Sequence, residues 1–201
     1  MTGRILKPGT LVVLEGLDKT GKSTQAALLK RELDPATTEH VHMPRGFSHF
    51  TATTYALLED DACRPSSGVA RQLAHLACHA ESMPRIVELL RDKAVLLDRW
   101  WWSTIAYGWY SGDIPEGGIT KQAFMNVVQN VWSPLTASVI FVFDEPYEDD
   151  SNNSRPIRNG YRELASEAQA LAARVPVAGV AEVTAFMLAE LERRDLTIAA
   201  N

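Results

Sequence analysis

Gly16-Leu17-Asp18-Lys19-Thr20-Gly21-Lys22-Ser23 matches G-x-x-x-x-G-K-[ST], the pattern of a loop that cradles phosphates. Its glycines let the backbone wrap closely and turn N–H groups inward, making an anion nest at the start of a helix. Lys22 can reach terminal phosphates, and the Ser23 hydroxyl can ligate Mg²⁺. The surroundings fit. The apolar run Leu11–Glu15 enters the loop as a buried strand, and a helix from about Ser23 to Leu33 leaves it. A second pair of chemical groups, Asp98-Arg99, ends the apolar run Val95-Leu96-Leu97. The C-terminal ends of parallel strands line a ligand crevice, so Asp98 would face a metal and Arg99 would bind an acceptor phosphate with two prongs. A surface ion pair at a strand end fits these two residues equally well. The N-K-x-D string with which a GTPase reads its base is absent, and the chain is short for a motor ATPase. A small kinase needs only the loop, a second anion site and cations around the moving phosphoryl group.

Those residues need a scaffold, and the chain alternates short apolar runs with helical patterns. After the first strand and helix come a brief strand near Val41 ending at Pro44 and a short helix over Thr51–Leu58. A long helix follows, capped by Ser66 or Ser67 and reaching Arg91, which Pro84 must kink or divide. Ala94–Asp98 reads as a strand, Trp101–Tyr110 as a helix and Gly112–Gly118 as a Pro/Gly loop. Gln122–Val131 reads as a helix and Ala137–Phe143 as the clearest strand. Helices near Ile157–Arg174 and Val180–Arg193 close the chain, with a short strand at Val175–Ala178. Strands separated by helices predict an α/β fold of the P-loop NTPase type. It has three layers, with a central parallel β-sheet of about five strands flanked by helices.

The 201 residues suit a single kinase domain over 1–201, with a short lid at about 144–157. A content of 46% hydrophobic and 22% charged residues excludes a disordered or low-complexity chain. A formal charge of −5 argues against polymeric nucleic acid as a partner. The apolar runs are too short to cross a membrane. Met1–Lys7 has no apolar signal core, and Cys63 and Cys78 read as reduced thiols, so a cytoplasmic protein is expected.

Leu14–Gln25 resembles the opening of thymidylate kinases, F-E-G-x-D-x-x-G-K-[ST]-T-Q. Asp98-Arg99-Trp100 with Ser103, Ala106 and Tyr107 is similar to the family's D-R-Y-x-x-S-x-x-A-[YF]. Arg158-Asn159-Gly160-Tyr161-Arg162-Glu163-Leu164-Ala165 is similar to its V-R-x-G-Y-x-E-L-A helix after the lid. The three matches stand in family order and span most of the chain. The resemblance implies transfer of the ATP γ-phosphoryl group, with Mg²⁺, to a deoxynucleoside 5′-monophosphate, dTMP first, in a homodimer. It implies that Gly16, Thr20, Gly21, Lys22, Ser23, Thr24 and Arg155 bind ATP, and that Ser23 and Asp98 hold the metal. Asp18, Arg99, Ser103 and Tyr107 would bind the acceptor, Tyr107 against the place of a 2′-hydroxyl. Lys22, Asp18, Lys19 and Arg99 would be catalytic, Lys19 as a loop cation of one family subtype. Met43-Pro44-Arg45 is a looser likeness to the second phosphate loop, with Arg45 as the contact, and Trp100 stands in for the family Tyr.

The base pocket departs from the family. His75 and His79 stand where the resemblance expects F-x-x-x-R, a stacking Phe and a base-bonding Arg. That motivates an alternative acceptor, another deoxynucleotide such as a 5-substituted dUMP, and an acceptor KM that varies near the imidazole value of about 6.5. The spacing of the two histidines around Cys78 also suits metal ligands, without a third, and two ordinary helix residues suit it as well. Asp144–Ser154 is short for a helical lid, and its five carboxylates, Asp144, Glu145, Glu148, Asp149 and Asp150, would repel ATP. From a different class, a non-catalytic nucleotide-binding module would keep the fold, though intact Lys22, Ser23, Asp98 and Arg99 speak against it.

Overall fold

The computed structural model describes residues 3–198. In chain order the elements run β1 Ile5–Leu6, β2 Leu11–Gly16, α1 Lys22–Glu32, β3 Thr38–His42, α2 His49–Glu59, α3 Gly68–Leu89 and β4 Ala94–Asp98. Then come α4 Trp101–Ile105, α5 Asp113–Glu116, α6 Lys121–Trp132, β5 Val139–Phe143, α7 Arg155–Glu167, β6 Ala172–Arg174, α8 Val180–Arg193 and β7 Thr197–Ile198. The central sheet has five parallel strands in the order β3-β4-β2-β5-β6. Strands β2, β4 and β5 are buried at every position, because helices cover both faces. One core packs the sheet against α3, α4, α6 and α7 through Leu97, Trp102, Phe124, Trp132 and Tyr161. The other packs Val12, Leu14, Leu96 and Phe141 against α1 and α8. This is the expected three-layer α/β fold. Side-by-side pairing of β2 with β4 brings Leu14 opposite Asp98, so the P-loop and the Asp98-Arg99 turn open at one sheet edge.

Four local expectations are corrected. Pro84 does not divide helix α3, which runs from Gly68 to Leu89, because the other turns of its apolar face stay packed on the sheet. The penultimate helix ends at Glu167, and the strand after it lies at Ala172–Arg174, not at Val175–Ala178, where its backbone pairs with Ile140–Val142. The Pro/Gly loop holds one helical turn, Asp113–Glu116. Trp101–Tyr110 is helical but changes to a π-helix over Ala106–Tyr110. The antiparallel pair of β1 with β7 had no sequence signal, since each strand is two residues long.

Candidate active site

Strand β2 passes into the P-loop at Gly16, whose φ of 141° and close approach leave a Cβ only 2.0 Å from the Phe143 carbonyl oxygen. Gly21, at φ 82°, ends the loop as the N-cap of α1, and no side chain caps that helix. Its first N–H groups are therefore available to an anion. The loop is clamped from across the cavity. Asn153 Oδ1 accepts from the Asp18 N–H at 3.0 Å, while its Nδ2 donates to the Asp18 carbonyl at 2.7 Å. The Tyr147 N–H donates to the Lys19 carbonyl at 2.8 Å, and Glu148 stands 3.8 Å from the Lys19 ammonium. Asp144 and Glu145 likewise face Arg174 and Arg162, so three of the five lid carboxylates are turned to cations.

Lys22 is buried, with Nζ 3.9 Å from Asp98 Oδ1. Burial first, then the charge of Arg99, lower its pKa to about 8 against the pull of Asp98, Glu15 and Asp18. Asp98 meets His42 Nδ1 through Oδ2 at 3.0 Å, and its Oδ1 is buried with no hydrogen-bond partner among the described residues. Burial works to raise the Asp98 pKa, but the His42 hydrogen bond and the Lys22 and Arg99 charges outweigh it and lower it. Arg99 has a φ of 70° and reaches the Asp18 carboxylate, and Nη1 donates to Ser103 Oγ at 3.2 Å. Its guanidinium lies 5.6 Å from the centre of the Tyr107 ring.

That turn is anchored from below by Glu15, which is fully buried. Glu15 accepts from the Trp100 N–H at 2.7 Å, the Ser103 N–H at 2.9 Å, Ser103 Oγ at 2.7 Å and the Tyr161 hydroxyl at 3.2 Å. Burial raises its pKa, and the Ser103 and Trp100 donors with the Arg99 charge only partly offset that. Two strand ends and two helices, α4 and α7, are thereby tied to one carboxylate.

One cavity of about 960 Å³ opens over this floor. Asp18, Lys19, Thr20, Gly21, Lys22, Ser23 and Thr24 line it together with Arg99, which reaches Asp18, and Ser103, Tyr107, His75 and His79 line it as well. Gly16 and Asp98 lie just beneath. Arg45, beside the lining Pro44, and Arg155, at the start of α7, are exposed and do not form part of the wall. The expectation of a titration near 6.5 is corrected. Burial, then Arg99 and Arg71, push His75 down to about 4, and burial, then His75, push His79 down to about 3. Among the described residues no three His, Cys, Asp or Glu side chains gather as metal ligands, and Cys78 is turned toward the Thr51 carbonyl. Glu15 and Tyr161 belong to motifs read in the sequence without being singled out. His42, Asn153 and Trp132 carried no signal there, because their partners are 53 to 135 residues away.

The chain matches the family model "Thymidylate kinase" over residues 14–130. It is 28% identical over 166 residues to a thymidylate kinase of Anaplasma marginale (strain Florida), covering 76% of this chain and 78% of that protein. The crystal structure of a thymidylate kinase from Ehrlichia chaffeensis superposes with a TM-score of 0.75 at 20% identity, over 92% of this chain and 100% of that one. A thymidylate kinase from Candida albicans superposes with a TM-score of 0.70 at 20% identity, over 100% and 98%.

Proposed function

Because the chain belongs to the thymidylate kinase family, we propose that this cavity carries the γ-phosphoryl group of ATP to the 5′-phosphate of dTMP, giving dTDP. The carrying observation is that a P-loop with free helix N–H groups and an Arg99 held by Asp18 of that loop line the same cavity. In this reading the P-loop backbone, Lys22, Ser23 and Thr24 hold the ATP phosphates, and Arg155 approaches from the lid. Arg99, with Arg45 at the rim, holds the acceptor phosphate, and Asp18 faces the sugar. The Asp18–Arg99 pair keeps the guanidinium aimed before the substrate arrives, so less ordering is needed at binding. Lys19 leaves Glu148 to neutralise the transferring group. The lid, at 144–157 of one domain over 1–201, excludes water from it.

Mg²⁺ fits the residues present. The unpartnered Asp98 Oδ1 and the exposed Ser23 hydroxyl are hard oxygen donors, and Mg²⁺ takes few protein ligands beside phosphates and waters. When bound, it would neutralise phosphate charge. A homodimer is proposed through α3 and α6, which pack together and expose Leu73 and Val127. A cytoplasmic location fits the two free cysteines, Cys63 and Cys78, and no helix among the described residues is long and apolar enough to cross a membrane. The test is ADP release, coupled to an optical readout, across a panel of deoxynucleoside monophosphates. dTMP should rank first. A flat response to every acceptor would overturn the reading.

A further inference from the structure

His79 lies on α3, almost fully buried yet on the wall of the cavity beside Tyr107. Two polar groups converge on one of its ring nitrogens. The Trp132 indole Nε1–H donates to Nδ1 at 3.3 Å, and Thr104 Oγ1 stands 3.4 Å from the same atom. An indole N–H can only donate, so Nδ1 must offer a lone pair. The Trp132 ring also meets the imidazole edge-on, with centroids 5.1 Å apart, and that contact sets the imidazole plane. Burial, then His75, hold the ring neutral by lowering its pKa to about 3. A neutral imidazole with an unprotonated Nδ1 carries its single proton on Nε2. Nε2 makes no hydrogen bond among the described residues and is not one of the buried atoms sealed away without a partner.

We infer that Trp132 is a positioning residue that locks His79 in the Nε2–H tautomer, giving the cavity a fixed hydrogen-bond donor toward the acceptor base. The inference rests on the reading of this cavity as the acceptor site. A fixed donor meets the 4-oxo oxygen of thymine or uracil favourably, and it meets the 4-amino group of cytosine donor against donor. The lock therefore favours 4-oxo pyrimidines with a neutral side chain at position 79.

The test has two readouts. Nitrogen-15 NMR of the histidine-labelled protein should show a lone-pair Nδ1 and a protonated Nε2 for His79, and Trp132→Phe should mix the tautomers. A protonated Nδ1 in the wild type would overturn the lock. In steady-state assays with dTMP, dUMP and dCMP, the dTMP-to-dCMP ratio of kcat/KM should fall about 3- to 10-fold in both Trp132→Phe and His79→Phe. His79→Gln, which restores a side-chain N–H, should recover part of that loss. An unchanged ratio in His79→Phe overturns the base-reading role even if the tautomer is as stated. Thermal melts of each variant separate a lost fold from a lost preference. If no monophosphate is turned over at all, the proposed function fails, while the nitrogen shifts still decide the tautomer.

Discussion

The two ends of the cavity are built on opposite principles. At the phosphate end Lys22, Asp98, Arg99, Asp18 and Glu15 form a charged network whose members are held by one another and by backbone N–H groups. At the end proposed for the base His75, His79 and Trp132 are neutral, and burial with one indole hydrogen bond, not an ion pair, orients His79. Phosphates are the same in every nucleotide, so charge and a free helix N-terminus are enough to hold them. A base must be told from its relatives, and discrimination comes from hydrogen bonds fixed in direction by a buried wall.

The largest effect should come from the charged end. Lys22→Met should lower kcat by roughly 10³-fold, since the charge that develops in the transfer loses its nearest cation. The same variant should stabilise the ligand-free fold. Lys22 has its pKa lowered from 10.5 to about 8, so the folded state disfavours its charge. The stability present above 10.5 is lost as pH falls toward about 8, and at neutral pH the penalty is about 3 kcal/mol. Chemical denaturation of both proteins at neutral pH checks this, and a less stable Lys22→Met would show that Asp98 needs the ammonium more than burial disfavours it.

Arg99→Ala should lower kcat/KM for the acceptor by about 10²-fold, through both kcat and KM, because its charge binds and positions the same phosphate. An effect confined to the KM for ATP would move Arg99 to the other substrate. Asn153→Ala should act more mildly. It removes both hydrogen bonds that tie the lid to Asp18, at a cost of about 1–3 kcal/mol in stability. Hydrogen exchange should then quicken in the P-loop before it does in β4. Equal quickening in both would mean that Asn153 braces the whole sheet edge.

The contrast also explains what was legible. Lys22, Ser23 and Arg99 were readable because a P-loop and a strand end are local patterns, fixed by spacing along the chain. The five-stranded parallel sheet was readable for the same reason, as alternation of short apolar runs with helical periods. Asn153 and Trp132 were not. Their roles come from the Asp18 backbone and from His79, which only the folded chain brings near. At Pro84 propensity allowed a division or a kink, and the packing of Met83, Ile86 and Leu89 carries α3 through without a division. The residue types of His75 and His79 announced a changed pocket, but their neutrality is a property of burial, which no residue type declares.

The smallest expected effect is an absence, and it bears on the neutral end. His75 and His79, pushed down to about 4 and about 3, stay uncharged through the working range of the enzyme. The acceptor phosphate itself titrates near pH 6, so wild-type kinetics alone would mix the two effects. A ratio removes the phosphate term. The quotient of kcat/KM for dTMP in wild type and His75→Phe should be constant between about pH 5.5 and about pH 8. Stability should behave differently. Both histidines titrate near 6.5 when unfolded and far lower when folded, so their contribution is complete above 6.5 and is lost as pH falls through the folded values. Wild-type stability should therefore fall between pH 6.5 and about 4, and His75→Phe should flatten part of that slope. An inflection near 6.5 in the kinetic quotient, with no difference in the stability slopes, would mean that His75 is solvated and charged. The base end would then be run by charge, as the phosphate end is, and the contrast between the two would be gone.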